Sequence, residues 1–357
     1  MSLFLFLFSA LAVPLFTGVI LLRIQKRLEV VARPRGDGTA VQSSHVGNPL
    51  RIGGMAVIAG LAFVAALQML NGDESVAPLL LLSALPVFIA GLAEDLGHHV
   101  SPRGRFLAAI FSAVAAVALL GVWVPRGDIP GVDRAMAMPA IAITLTVIFS
   151  AGFCHAVNLI DGMNGLAASV ITTAALGCAM IAFLASQPAV TVMALLLAAA
   201  TTGFLFLNWP VARLFLGDAG AYGLGHLLVW LMILLTSLST EVAVPALALV
   251  IFWPLADVIH TILRRLAERV SILRPDRMHL HQKVRRTLDI VWFGYRGRYR
   301  SNPLTTLILL PLIVAPVATG VLLWNNAGAA WIALGAYMLA FSVAHPLTTR
   351  LARRFRR

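Results

Sequence analysis

Long apolar stretches alternate along the chain with short clusters of charged, amide and glycine residues, and this alternation sets the first expectation. Eleven runs reach the length of about 20 residues that lets a helix cross a hydrocarbon core. They lie near 3–22, 53–70, 76–96, 105–124, 136–154, 166–185, 189–207, 220–238, 242–263, 304–323 and 326–347. The first run lacks a basic start and is followed by Arg23, Lys26 and Arg27 rather than a cleavage site, so it reads as a retained span. The fold class that follows is all-α: a polytopic integral membrane protein of about 11 transmembrane helices. It forms one transmembrane domain over 1–357, with a C-terminal two-helix hairpin at 304–347.

Composition excludes a soluble domain, since 60% of the residues are hydrophobic, 12% are charged and the mean hydropathy is +0.90. A formal net charge of +12 suggests nucleic acid until the basic residues are placed. With the N-terminus outside, eleven spans put 25 of the 27 basic residues on one face and leave only Arg126 and Arg134 on the other. Cytoplasmic loops carry such an excess, so the loaded face is cytoplasmic and no nucleic acid is needed. That basic rim suits the anionic headgroups of membrane lipids. Cys154 and Cys178 fall in or beside spans and read as small apolar filler.

The stretch VNLIDGMNGL at 157–166 packs Asn158, Asp161 and Asn164 with two glycines between apolar runs. Glycine lets a backbone turn sharply and approach a ligand, while Asn and Asp supply hydrogen bonds and metal contacts. A lone Asp there is also a common helix cap. Before the second span, Gly53 and Gly54 suit close helix packing, and Arg51 is a candidate phosphate contact. Glu94 and Asp95 end the third span, where the helix dipole disfavours negative charge, so they call for a cation or for Arg103 and Arg105. Ser101 and Pro102 read as the cap and first residue of the fourth span. The loop 121–136 reads as a plain connector. In FLGDAG, Asp218 is either an N-cap or a Mg2+ ligand beside exposed helix amides that hold phosphate.

Asp257 and His260 lie near the end of the ninth span, which is expected to continue as a helix to Ile272 before Pro275. Arg277, His279, His281 and Lys283 follow. With no cysteine nearby, these suit an anionic substrate better than zinc. The last two spans carry almost no polar groups.

Every chemically loaded loop therefore falls on the cytoplasmic face. Carboxylates and Asn suit a hard cation, Arg and His suit a polyphosphate, and the bilayer can supply a lipid acceptor. The combination reads as phosphoryl transfer at a membrane surface.

These motifs resemble the polyprenyl-phosphate N-acetylhexosamine-1-phosphate transferases of glycosyltransferase family 4. The resemblance rests on RIGG at 51–54, the acids at 94 and 95, NLIDGMNGL at 158–166, FLGDAG at 215–220 and DRMHLHQ at 276–282, in the family's order. It implies that N-acetylhexosamine-1-phosphate passes from a UDP-sugar, such as UDP-N-acetylglucosamine, to undecaprenyl phosphate, releasing UMP. Such a lipid-linked sugar starts a cell-envelope polysaccharide such as the O-antigen of lipopolysaccharide. The implied cofactor is Mg2+, with Mn2+ the other fitting cation, and the implied place is the bacterial inner membrane with the site facing the cytoplasm. A homodimer is compatible with this scheme.

By the same resemblance, Asp218 and Asn158 hold the metal, and Glu94, Asp95 and Asp161 form the catalytic acids, with Asp95 near the lipid phosphate. Arg51, Asn158, Asn164, Arg277, His279 and His281 bind substrate. Glu94 stands where the family usually has Asp, His155 where it has Asn, and Gln282 where a third His is frequent. The last departure favours an N-acetylhexosamine donor over the alternative, a phospho-N-acetylmuramoyl-pentapeptide donor. A lipid phosphate with a second pKa of about 6 is already largely dianionic, so direct in-line attack is favoured over a covalent intermediate at Asp95 or Asp161. The rival from another class, a cation-coupled transporter, predicts acids near the bilayer midplane and repeated halves.

Overall fold

The computed structural model describes residues 2–25, 50–73, 75–271, 276, 278–294 and 297–355. Its helices are α1 (Leu3–Arg23), α2 (Gly53–Leu70), α3 (Ala77–Asp95), α4 (Pro102–Leu120), α5 (Pro130–Met136), α6 (Pro139–Ile160) and α7 (Leu166–Leu184). There follow α8 (Pro188–Asn208), α9 (Gly217–Leu238), α10 (Val244–Val250), α11 (Phe252–Ala267), α12 (Leu280–Leu288), α13 (Arg298–Leu322) and α14 (Ala327–Arg354). Among the described residues, ten of these are long and apolar enough to cross a membrane. The protein is thus an all-α, multi-pass membrane protein.

Local chemistry explains many helix starts. Proline opens α4, α5, α6 and α8, where its fixed φ suits a helix and its missing N–H is no loss. Ser101 caps α4 as its spacing predicts, its hydroxyl accepting from the Gly104 amide at 3.1 Å.

The expected ninth span at 242–263 is broken rather than straight: α10 and α11 meet at a bend of 89°, and the pair makes an eleventh span when it is taken as one crossing. Pro254 supplies the cause. In a continuous helix its ring would clash with the carbonyl of residue 250, and it has no N–H to offer that carbonyl. Alone, α10 reaches only about 10 Å. The helix after the bend also ends at Ala267 rather than continuing toward Ile272, which lies outside the described residues.

At the centre stands α9, buried from Gly217 to Thr236 and packed against α2, α3, α4, α6, α7 and α8. Gly54 and Gly220 let α2 and α9 touch backbone to backbone. A Cβ at Gly54 would overlap the Gly220 backbone, and one at Gly220 would lie 2.7 Å from the Gly54 Cα. Burial of α9 on all sides fixes its N-terminus relative to the bundle, and the candidate site is built there.

The loop 121–136 is no plain connector. Arg126 pairs with Asp128 at 2.8 Å and donates to the carbonyls of Thr240 and Val242 at 2.9 and 2.7 Å. Asp128 in turn accepts from the Val244 amide at 2.7 Å, and its carbonyl accepts from the Trp331 indole at 3.2 Å. The loop therefore ties the α9–α10 turn to α14. Backbone groups at a turn need partners, and here charged side chains provide them.

Candidate active site

The N-terminus of α9 gathers residues from four parts of the chain. Asp95, at the end of α3, accepts from the Asp218 amide through Oδ1 and from the Ala219 amide through Oδ2, both at 2.9 Å. Asp161, at the end of α6, accepts from the Gly217 amide. The first amides of the helix are thus satisfied by two carboxylates, which its positive end also attracts. The expected open phosphate cradle at 217–220 is corrected accordingly. Asp218 is also not the N-cap, since it sits inside the first turn.

Asp218 is 3% exposed and turns its carboxylate to two guanidinium groups. Arg51 reaches Oδ1 at 3.3 Å, and Arg105 from α4 pairs with Oδ2. Arg105 also acts on Glu94 through its charge. The expectation that Arg103 and Arg105 neutralise the acidic pair needs correcting for Asp95, whose two oxygens meet backbone amides. Asp95 thus caps α9 and thereby holds Asp218.

Gly217 makes this convergence possible. Its φ is +74°, and a Cβ there would overlap the Arg51 carbonyl and lie 2.6 Å from Asp95 Oδ2. Leu50 and Leu214 form a parallel bridge beside it. The Gly53 and Gly54 amides donate to Phe215 and Leu216 carbonyls at 2.7 and 2.8 Å. RIGG and FLGDAG are therefore two halves of one junction.

Asp161 keeps some exposed surface, yet its carboxyl lies within the mass of the protein. Burial pushes its pKa up to about 8, the Arg51 charge pulling it down and the Asp218 charge adding to the rise. Asn158 lies on the last turn of α6, further along than the expected span end, and its amide donates to the Tyr222 hydroxyl at 2.8 Å.

Asn164 serves to fasten the loop. It donates from Nδ2 to the Pro210 carbonyl at 2.8 Å, while its amide donates to Asn302 Oδ1 at 2.7 Å and its carbonyl accepts from Thr306 at 2.7 Å. Buried Asn208 accepts from the Gly165 amide at 2.7 Å and donates to the Leu214 carbonyl at 2.8 Å. The start of α13 thus supports the acidic loop, a correction to the expectation that the last two spans lack polar work. Tyr222, Asn208, Asn302 and Thr306 were not foreseen. Only Tyr222 left a trace in the sequence, standing one helical turn after Asp218.

His279 and His281, expected to bind the donor, are both buried. His279 Nδ1 meets Asp257 Oδ2 of α11 at 2.6 Å, and His281 is buried with neither ring nitrogen hydrogen-bonded among the described residues. Burial opposes charge on His279, but Asp257 outweighs it and holds the imidazolium above its ordinary range. For His281 burial dominates and lowers the ring to about 4. Asp276 anchors this segment by pairing with Arg264 and, at 3.6 Å, with Arg265. Arg277 lies outside the described residues.

Among the described residues no three His, Cys, Asp or Glu side chains form a metal cage. Zinc or calcium held by protein alone does not fit. Mg2+ needs only one or two carboxylates, with waters and substrate phosphates completing its shell. Asp218 and Asp161 with the Asn158 carbonyl oxygen are hard oxygen donors of that kind.

Residues 77–236 match the family model described as glycosyl transferase family 4. A probable undecaprenyl-phosphate N-acetylglucosaminyl 1-phosphate transferase of Bacillus subtilis is 28% identical over 239 residues, 66% of this chain and 65% of its own length. The chain therefore spans just under two thirds of that relative. A decaprenyl-phosphate N-acetylglucosaminephosphotransferase of Mycobacterium tuberculosis is 28% identical over 83% of each chain. An undecaprenyl-phosphate alpha-N-acetylglucosaminyl 1-phosphate transferase of Escherichia coli K12 is 26% identical over 92% of this chain and 86% of its own.

Proposed function

We propose that this chain, whose residues 77–236 match glycosyl transferase family 4, transfers N-acetylhexosamine-1-phosphate from a UDP-sugar to a polyprenyl phosphate at the inner face of the bacterial inner membrane, releasing UMP. The observation that carries this reading is the convergence of Asp95, Asp161, Asp218, Arg51 and Arg105 at one helix end. Transporter chemistry calls for acids near the middle of the spans, whereas these sit at helix ends.

Asp218, Asp161 and Asn158 would hold Mg2+, which when bound offsets negative charge on phosphoryl oxygens. An oxygen of the lipid phosphate attacks the sugar-bearing phosphorus in line. The bond from that phosphorus to the bridging oxygen breaks, and UMP leaves with that oxygen. Arg51 and Arg105 draw the two anions together and stabilise charge as it moves to the leaving group. Asp95 holds α9 in place, so that Asp218 is already oriented when substrate arrives. His279, whose pairing with Asp257 favours its charged form, suits the donor's diphosphate on the cytoplasmic side. Gln282 and the absence of a His triplet favour an N-acetylhexosamine donor.

The test is UMP release by the purified chain in detergent, with undecaprenyl phosphate, Mg2+ and a panel of UDP-N-acetylhexosamines. Lipid-dependent release with one donor, lost in Asp218→Asn, supports the reading. Silence across the panel from a folded sample overturns it.

A further inference from the structure

Three side chains next to the acidic cluster form a chain of hydrogen bonds whose direction has a consequence. Asn158 Nδ2 donates to the Tyr222 hydroxyl at 2.8 Å, and that oxygen lies 3.5 Å from His155 Nδ1. A hydroxyl has one proton. Having accepted from Asn158, Tyr222 keeps its own proton to donate, and His155 Nδ1 accepts it in the tautomer that carries the ring proton on Nε2. The His155 ring is held between Tyr222, at 4.8 Å and 59°, and Phe106, at 5.5 Å and 52°. Tyr222 itself is 2% exposed and stands four residues after Asp218 on α9, on the same face.

A primary amide has a donor end and an acceptor end, and only the acceptor end suits a cation. With Nδ2 committed to Tyr222, Asn158 keeps Oδ1 for a ligand. Resting on the proposed metal-dependent transfer, we propose that Tyr222 and His155 are positioning residues which fix the Asn158 amide so that its oxygen, not its nitrogen, is presented to a divalent cation at Asp218. A histidine at 155, where the resembling family has Asn, supplies both the ring that packs on Tyr222 and the acceptor for its proton. Neither residue touches a reacting atom. Both act through Asn158.

The test uses the full chain in detergent and Mn2+ as the probe, with free Mn2+ read by electron paramagnetic resonance. Tyr222→Phe keeps the ring and removes the oxygen. Partners that orient a metal ligand are worth about 10–100-fold in affinity, so Mn2+ binding weakens by about tenfold while the melting temperature stays unchanged. The Mg2+ concentration for half-maximal UMP release rises by the same factor, and KM for the donor at saturating Mg2+ does not move. His155→Phe shifts Mn2+ affinity in the same direction.

Asn158→Asp is the decisive background, because a carboxylate presents oxygen from either end and needs no orienting. In it, Tyr222→Phe no longer weakens Mn2+. Wild-type affinity in both single variants overturns the proposal, as does a wild type that releases UMP yet binds no Mn2+. The transferase reading fails separately, when a wild type whose Mn2+ affinity depends on Tyr222 releases UMP from no donor.

Discussion

Substituting Gly54 by Ala drives a wedge between α2 and α9 at the level of the candidate site. The added Cβ would overlap the Gly220 backbone and lie 3.1 Å from the Ala219 carbonyl carbon, with no flexible side chain to yield. Ordinary carbon contacts need about 3.5–4.0 Å, so the helices must part by about 1 Å. Overpacking of this kind costs about 1–3 kcal/mol, offset by about 0.5–1 kcal/mol for replacing a helical glycine with alanine. The net loss of stability is about 0–2.5 kcal/mol. Parting the helices also carries Asp218 away from Arg51, and a misplacement of about 1 Å can lower kcat by about 100-fold. Gly60→Ala is the matched control. Its Cβ would lie 2.5 Å from Cγ and 2.6 Å from Cδ of the rigid Pro14 ring, an equal wedge on the α1 side of α2. UMP-release kinetics and thermal unfolding in detergent are measured on both variants. The expected outcome is similar unfolding with kcat lost only in Gly54→Ala. Equal kcat in the two variants would refute the claim that this helix contact places the site.

His281, lowered to about 4 by burial, binds its proton more weakly in the folded than in the unfolded chain. Its contribution is therefore full above the unfolded pKa of about 6.5 and is lost as pH falls toward 4, by up to about 3 kcal/mol. Melting scans from pH 7 to 4 should steepen for wild type and flatten in His281→Gln. His279 has the opposite sign, since its raised pKa gives stability that is present below about 6.5 and lost as pH rises through the folded value. Replacing it with Gln should remove that alkaline decline from the same scans. Asn208→Ala strands the Gly165 amide and the Leu214 carbonyl, and at about 1–3 kcal/mol for each buried orphan it should lower the unfolding temperature clearly.

Span positions were legible because about 20 apolar residues suffice to identify a helix in a bilayer, and ten long helices follow those runs. The break at Ile251 was also written in the sequence, in Pro254, yet an apolar run hides a proline whose effect depends on the carbonyl four residues earlier. Asp161 and Asp218 stood out because charge between apolar spans is rare. Their partners did not, because Arg51, Arg105 and Asp95 meet Asp218 across 113 to 167 residues of chain, and no local pattern encodes such a distance.

The sequence by itself determined the class of this protein: its membrane spans and the motifs it shares with a transferase family. Tertiary structure alone decided which groups do what. It made Asp95 the cap of α9, turned the Asn158 amide toward Tyr222, and set α13 under the acidic loop. Hydropathy is a property of each residue and sums along the chain. Capping, pairing and amide direction are properties of neighbours, and neighbours exist only once the helices have packed.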